Sequence, residues 1–495
     1  MKSINRILAI SLVEFCLLIL NAYSQVSFEQ HLVDDNTHGM GSIYACDIDG
    51  DQDNDILAAS LEDNQIIWFR NDGGTPIHWE KIVVAYNVIG AHSVYAADFD
   101  NDCDLDIIGA AYQGQPGIAW WRNDSGDPVV WTKFPVANTF INAHEIYSAD
   151  LNNDQFTDIL GASSDLNKIA VWYNSGGDSI TWNEQTLITN FTLAKSVRAG
   201  DIDGDGDIDV IGASIVDNDV LWWKNDDNGT PVNWTQLDID LNFSGAHRVD
   251  TADINGDGRL DVVGAGYVGH TIGWWENNGG NPISWTRQIV EYNFINACIA
   301  YASDIDGDGD MDIIGTSQGN NIVAIWLNNG GNPIQWIKII VDNDFYRVWP
   351  LYAADLDGDG DIDVIAGSSH QGNNQIRWYE NLGDTTTSVD NHSDLLIPKN
   401  ILIYQNYPNP FNPSTTIKFS IPERKFVQLK IYNMLGKEIT TLVDEEKAAG
   451  EYEVEFPVTN ETSVIEEVNS LTSGIYFYRL TVGDQTIVKK MIFLK

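Results

Sequence analysis

The sequence predicts an all-β protein: a seven-bladed β-propeller of four-stranded blades closed by an N-terminal strand, followed by a small immunoglobulin-like β-sandwich. Three observations carry this. One acidic pattern recurs seven times at intervals of 51 or 52 residues, each time among four short apolar runs. The array is cut out of phase, so that the strand missing from its last unit stands at its beginning. Beyond residue 399 the period vanishes, while alternation of apolar and polar residues continues.

The chain has 495 residues and a formal net charge of −45, with 43% hydrophobic and 11% aromatic residues. That content is enough to bury cores, so the acidity does not imply disorder. So negative a surface excludes electrostatic binding of nucleic acid, which needs Lys and Arg clusters. It also argues against docking on anionic lipid. Four cysteines cannot build a disulfide scaffold.

In chain order, Lys2 and Arg6 precede an apolar run from Ile7 to Leu20, interrupted by Glu14, and Ala22-Tyr23-Ser24 precedes Gln25. This reads as a signal peptide, residues 1–24, whose removal releases a soluble protein. The run is too short for a comfortable span, and no later segment has 18 apolar residues in a row, so no transmembrane segment is expected. Cys46, Cys103 and Cys298 remain, at different places in the repeat, and are expected to be free thiols.

The repeats occupy residues 25–383 and centre on Asp47, Asp98, Asp150, Asp201, Asp253, Asp304 and Asp355. In the second unit a strand at residues 92–97 enters the acidic loop and one at 106–111 leaves it. A third at 118–123 carries aromatics and ends in Asn, and a fourth at 130–136 follows a Gly/Asp/Pro turn. Each run is short, rich in β-branched and aromatic residues, and bounded by turn formers. A period near 50 means a solenoid or a propeller. The seventh unit lacks its fourth strand, and residues 27–33 match that strand, with Phe28 one period before Trp79. Only a ring has use for this permutation, because the first strand completes the last sheet. Trp79, Trp131, Trp182, Trp234, Trp285 and Trp336 form one aromatic series. Phe69, Trp121, Trp172, Trp223, Trp275, Trp326 and Tyr379 form another, and both are expected to pack blade against blade.

The loops carry the chemistry. Every unit keeps Asp or Asn at positions 1, 3, 5 and 9. These are Asp47, Asp49, Asp51, Asp55; Asp98, Asp100, Asp102, Asp106; Asp150, Asn152, Asp154, Asp158; and Asp201, Asp203, Asp205, Asp209. The remainder are Asp253, Asn255, Asp257, Asp261; Asp304, Asp306, Asp308, Asp312; and Asp355, Asp357, Asp359, Asp363. Alternate oxygen side chains, with a carbonyl from position 7, suit a hard cation, so up to seven Ca²⁺ ions are expected. Gly at positions 4 and 6 admits positive φ. Gln52, Cys103 and Gln155 replace Gly at position 6, so the first three sites are expected to be weaker or strained. An EF-hand is excluded, because position 12 is Ala or Gly where a bidentate Glu is needed.

This unit resembles the FG-GAP/VCBS repeat family, whose members include the integrin α-chain propeller. The resemblance rests on the Asp-x-Asp-Gly-Asp-Gly-x-x-Asp loop followed by an apolar strand ending near Gly-Ala. It implies a calcium-binding propeller with metal loops on one face and ligand-binding loops on the other. At the start of the inner strands, Gly41, His92, His144, Lys195, His247, Cys298 and Trp349 vary while the framework repeats. Of these, His92, His144, Lys195, His247 and Trp349 are the candidate ligand-binding residues, for a sugar or an acidic group.

No catalytic constellation is present: no Gly-x-Ser-x-Gly, no His-Glu-x-x-His and no phosphate loop with Lys. The protein is therefore expected not to be an enzyme. It is read as a monomeric binding or adhesion module for a polysaccharide or a surface protein. The alternatives are a polysaccharide lyase on the same scaffold and a purely architectural surface protein.

Residues 384–398 are polar and aperiodic and read as a linker. Residues 399–495 alternate at 416–420, 427–432, 451–456, 475–480 and 488–494, as strands of a sandwich do. The motifs YQNYPNPFNP (404–413), IYNMLG (431–436) and SGIYFYRL (473–480) resemble the type A sorting domain of the type IX secretion system. The resemblance implies partnership with that secretion machinery, and release from the cell or display on its outer surface.

Overall fold

The computed structural model describes residues 26–383, apart from turn positions 127, 178, 228, 230 and 370–373, and residues 401–493, apart from residues 458–473 and several shorter gaps. The signal segment 1–24 and the linker 384–398 lie outside the described residues. The chain divides into two units, Met1–Thr387 and Ser388–Lys495.

In the first unit, seven antiparallel sheets of four strands stand in a ring. The first blade runs Met40–Cys46, Asp55–Ser60, Gln65–Arg70 and Glu80–Ala85, from the axis outward. Five blades repeat this plan. The seventh takes Val348–Ala354, Asp363–Ser368 and Ile376–Asn381 from the end of the array, and Phe28–Asp34 as its outer strand. The pairing Phe28↔Asn381 sets that register. Each inner strand packs against the next all the way round, including Met40–Cys46 against Val348–Ala354, so the ring is closed. The out-of-phase cut in the sequence is this closing strand.

Burial follows position in the blade. Every residue of the second strand is buried, as in Asp106–Ala111, because neighbouring blades cover both its faces. The outer strand Trp131–Ala137 alternates between half-buried and exposed residues from Thr132 to Val136 and is buried only at Ala137. The aromatic series fill the wedges between blades. Trp172, Trp223, Trp275 and Trp326 are fully buried, and Trp131 meets Trp68 of the preceding blade edge-on at 6.5 Å. Ring size is matched on the second strand. In blade 2 the Trp121 ring stands 2.8 Å from where a Cβ on Gly109 would be. Blades 1 and 7 have Ala58 and Ala366 at that position and the smaller Phe69 and Tyr379 opposite. The Gly of the Gly-Ala signature is therefore a packing residue.

The second unit places three strands, Leu402–Ile403, Ser414–Ile421 and Gly450–Pro457, in one sheet. Glu438–Lys447, Lys425–Asn433, Gly474–Val482 and Gln485–Phe493 form the other. Ile417, Phe419, Leu429, Ile431, Tyr478 and Leu480 build the core between them. Glu438–Lys447 escaped the pattern reading because it ends in the charged run Asp444-Glu445-Glu446-Lys447.

Candidate functional site: acidic loops and axial cluster

Consecutive strands are antiparallel. The inner-to-second and third-to-outer connections therefore share one face of the ring, and the two other kinds of connection share the opposite face. All seven acidic loops lie on the first of these faces.

Each loop wraps on its own carboxylates. In blade 4, Asp201 accepts the backbone N–H of Gly204 (2.8 Å) and of Gly206 (3.1 Å). Asp205 accepts the N–H of Asp207 at 3.0 Å. Asp209 is fully buried and accepts two N–H groups, from Ile202 at 3.1 Å and from Asn225 at 2.7 Å. The equivalent pair of bonds reaches Asp55, Asp106, Asp158, Asp261, Asp312 and Asp363. Burial pushes each of these seven carboxyls up to about 7, against the lowering effect of the two N–H bonds. Position 9 thus clamps the loop to the third strand, whatever else it binds.

The oxygens converge. Carboxylate atoms of positions 1, 3 and 9 lie within 4.8 Å of one another in Asp47/Asp49/Asp55, Asp98/Asp100/Asp106 and Asp201/Asp203/Asp209; in blade 6 the trio is Asp304/Asp306/Asp308. Oδ1 of Asp100 and Oδ1 of Asp304 are buried with no hydrogen-bond partner. An oxygen-only set with orphaned carboxylate atoms fits a hard divalent cation. The other loops differ in detail. Asn152 donates to Asp154 at 2.9 Å, and Arg259 pairs with Asp257. In blade 4 the Lys224 ammonium reaches Asp203 and, at 2.7 Å, Asp205. At position 6, Gln52, Cys103 and Gln155 adopt φ of 80°, 77° and 72°, in the same left-handed region as Gly206 at 94°. These three loops hold the shape that Gly gives the others, at a conformational cost.

The Asn ending each third strand is a site residue that sequence reasoning missed, although its recurrence was visible. In every blade but the second, its Nδ2 staples neighbouring loops. Asn277 donates to Leu260 O of its own loop and to Ile202 O of the preceding blade. Asn174, Asn225, Asn328 and Asn381 do the same. Asn71 donates to Leu356 O at 2.8 Å, across the ring closure.

At the opposite face, the structure brings His92, His144, Lys195, His247 and Trp349 together, with Gly41 and Cys298, around one small cavity. A β-bulge in each inner strand aims them there, His92 being the extra residue between Ala91 and Ser93. The space enclosed is about 10 Å³, room for one water or ion and smaller than a sugar ring. His92 and His144 rings are 4.2 Å apart, and Trp349 lies 5.1 Å from His247. Burial, helped by the Lys195 charge, lowers His92 to about 4 and His247 to about 3, and holds His144 well below its ordinary value.

Below this layer the axis is filled. Glu145 holds Arg198 and, at 2.5 Å, Arg248, while Arg198 lies 3.6 Å from Asp250. Tyr44, Tyr95, Tyr147, Tyr301 and Tyr352 stack towards the acidic face. Ser42, Ser93, Glu145, Ser196 and Asp250 each accept a backbone N–H of the next blade. This ionic plug left no motif in the sequence, because its members come from blades 3, 4 and 5.

A ring of blades, each entered by a cation-shaped acidic loop and followed by a sandwich tail, defines the class: a repeat β-propeller built for export. A family model described as FG-GAP-like repeat matches residues 47–109, 98–161, 150–212, 201–264 and 304–366, more than half of the chain. The chain belongs to the FG-GAP-like repeat family. A second model, the secretion system C-terminal sorting domain, matches residues 405–494. The tail directs the protein through type IX secretion to the outer surface. No curated protein matches the chain. Among solved structures, it is similar to BBS1N in complex with ARL6DN, soaked with lead, with a TM-score of 0.48 and 10% identity over 74% of this chain and 98% of that one. The mercury-soaked form of that complex gives a TM-score of 0.46 and 10% identity over 73% and 98%. Among the described residues no helix is long and apolar enough to cross a membrane.

Proposed function

We propose that this is a calcium-loaded, non-enzymatic adhesion module of the outer surface, which binds carbohydrate through the face opposite its acidic loops. One observation carries the reading. Among the described residues of the propeller, apart from Leu32, Val130, Ile340 and Leu382, every exposed large hydrophobic side chain stands on that face. Tyr86, Tyr112, Leu166, Val216, Val268 and Tyr346 sit there, in connections between second and third strands or between blades. Apolar groups gathered on one face of a strongly acidic protein mark an interaction surface. Exposed tyrosines join a flat apolar ring to a hydrogen-bonding tip, which suits a sugar face edged with hydroxyls. The calcium loops hold the blades from the other side, and so set the spacing of the binding loops.

Glycan-array binding in millimolar Ca²⁺ tests this. The protein retains one class of polysaccharide without degrading it, and the triple variant Tyr86→Ser, Tyr112→Ser, Tyr346→Ser loses retention at unchanged melting temperature. Release of unsaturated oligosaccharides would make it a lyase. Binding of no glycan, or undiminished binding by the triple variant, would remove this face as a carbohydrate site.

A further inference from the structure

Three acidic loops carry the same ligands in the same frame. The fourth, sixth and seventh read DIDGDGDID (201–209), DIDGDGDMD (304–312) and DLDGDGDID (355–363). They share every carboxylate and both glycines, and differ only at apolar positions. The residue that precedes the stapling Asn on the third strand is not shared: it is Lys224, Leu327 and Glu380 in turn. In three blades this residue reaches position 3 of its own loop. In the fourth, the Lys224 ammonium pairs with Asp203 and, at 2.7 Å, with Asp205, two of the ligands a cation would use. In the second, Arg122 stands 4.0 Å from Asp100. In the seventh, Glu380 is close enough to Asp357 to repel its charge. Glu380 also meets His31 at 2.7 Å and faces Glu29 across the strand pair, so two carboxylates gather there against one imidazole. Leu327 is buried and brings no charge.

We propose that the residue before the stapling Asn sets the calcium affinity of its loop, so that the seventh loop binds more tightly than the sixth, and the sixth more tightly than the fourth. The proposal rests on the calcium reading above. A dication entering the fourth loop must displace an ammonium tethered to two of its ligands, and then share the loop with that charge. In the seventh loop it meets an additional carboxylate instead. At a separation of about 5 Å near an aqueous surface, one unit of charge changes the binding of a dication about tenfold. Salt screens contacts this short only in part. The fourth and seventh loops, two charge units apart, should therefore differ about a hundredfold. Arg259 of the fifth blade lines the same cleft as the fourth loop, but is committed to Asp257 and to Asn277 O. Lys224 is thus the cation on the fourth loop's own ligands, and a loop with the full Asp and Gly pattern carries its counter-ion within the chain.

The test is hydrogen exchange of the full chain at pH 7.5, read by mass spectrometry on peptides covering residues 201–209, 304–312 and 355–363 during a Ca²⁺ titration. The half-protecting Ca²⁺ concentration should rise about tenfold from the seventh loop to the sixth, and about tenfold again to the fourth. Lys224→Met, which keeps an apolar stem and removes the charge, should lower the fourth loop's value about tenfold and leave the other two unchanged. Equal values for the three loops of the unaltered protein would overturn the proposal, and that comparison needs no variant. So would a folded Lys224→Met protein whose fourth loop keeps its value. Protection of no loop at any Ca²⁺ concentration would sink the calcium reading itself, and this proposal with it.

Discussion

Removing the cations should make stability fall as pH rises, and adding Ca²⁺ should abolish that slope. The seven position-9 carboxyls are fully buried and raised from 3.8 to about 7. A folded-state value above the unfolded one means that the folded protein holds more protons between about pH 4 and 7, so stability is lost as pH climbs through that window. Three units correspond to about 4 kcal/mol per carboxyl as an upper bound. Relaxation and entering water leave about a quarter of this, or ~7 kcal/mol over seven loops, when the effective protein dielectric is taken near 20. About three fifths of this, ~4 kcal/mol, falls between pH 5 and pH 7.5, because the unfolded carboxyls are already mostly ionised at pH 5. At ~2 cal/mol/K per residue over about 360 residues, the metal-free melting temperature should be about 6 °C lower at pH 7.5 than at pH 5. A cation beside the carboxylate favours its ionised form and returns stability at neutral pH. Scanning calorimetry after exhaustive dialysis against chelator, with and without millimolar Ca²⁺, measures both effects. A metal-free melting temperature that is flat or rises with pH would refute the reasoning, as would a pH slope that survives Ca²⁺.

Two further outcomes follow from the loops. Asn277→Ala strips partners from Ile202 O and Leu260 O and should cost about 3 kcal/mol in urea unfolding. Asn123→Ala, whose described Nδ2 bond reaches only Leu105 O of its own loop, should cost about half as much; equal losses would argue against the staple. Cys103→Gly relieves a non-glycine φ of 77° and should stabilise the protein by about 1 kcal/mol and tighten Ca²⁺ binding, read by calorimetric titration.

The ring and its closure were legible in the sequence because each blade is one local unit repeated. Strand runs, the Asp spacing and the displaced Phe28 segment all carry their meaning within one period. Aromatic packing was legible for the same reason, though the match of Ala58 and Ala366 to smaller rings emerged only from the distance between Gly109 and the Trp121 ring. The function of Asp209 was only half visible. Its spacing speaks of a metal, yet its two oxygens also accept Ile202 and Asn225 N–H, and Asn225 stands 16 residues further on.

By itself the sequence determined the blade count, the phase of the cut, the side of each blade that carries carboxylates and the export tail, since these depend on residue order and short-range pattern. Tertiary structure alone decided what meets at the axis. Residues 92, 144, 247 and 349 are far apart in the chain, and only the radius of a seven-membered ring brings each of their rings within 4.2 to 5.1 Å of its nearest neighbour. That radius also decided that the mouth is a water-sized cavity above a buried ion network. Whether seven side chains leave a pore or fill it depends on the volumes that converge there, which no one blade specifies.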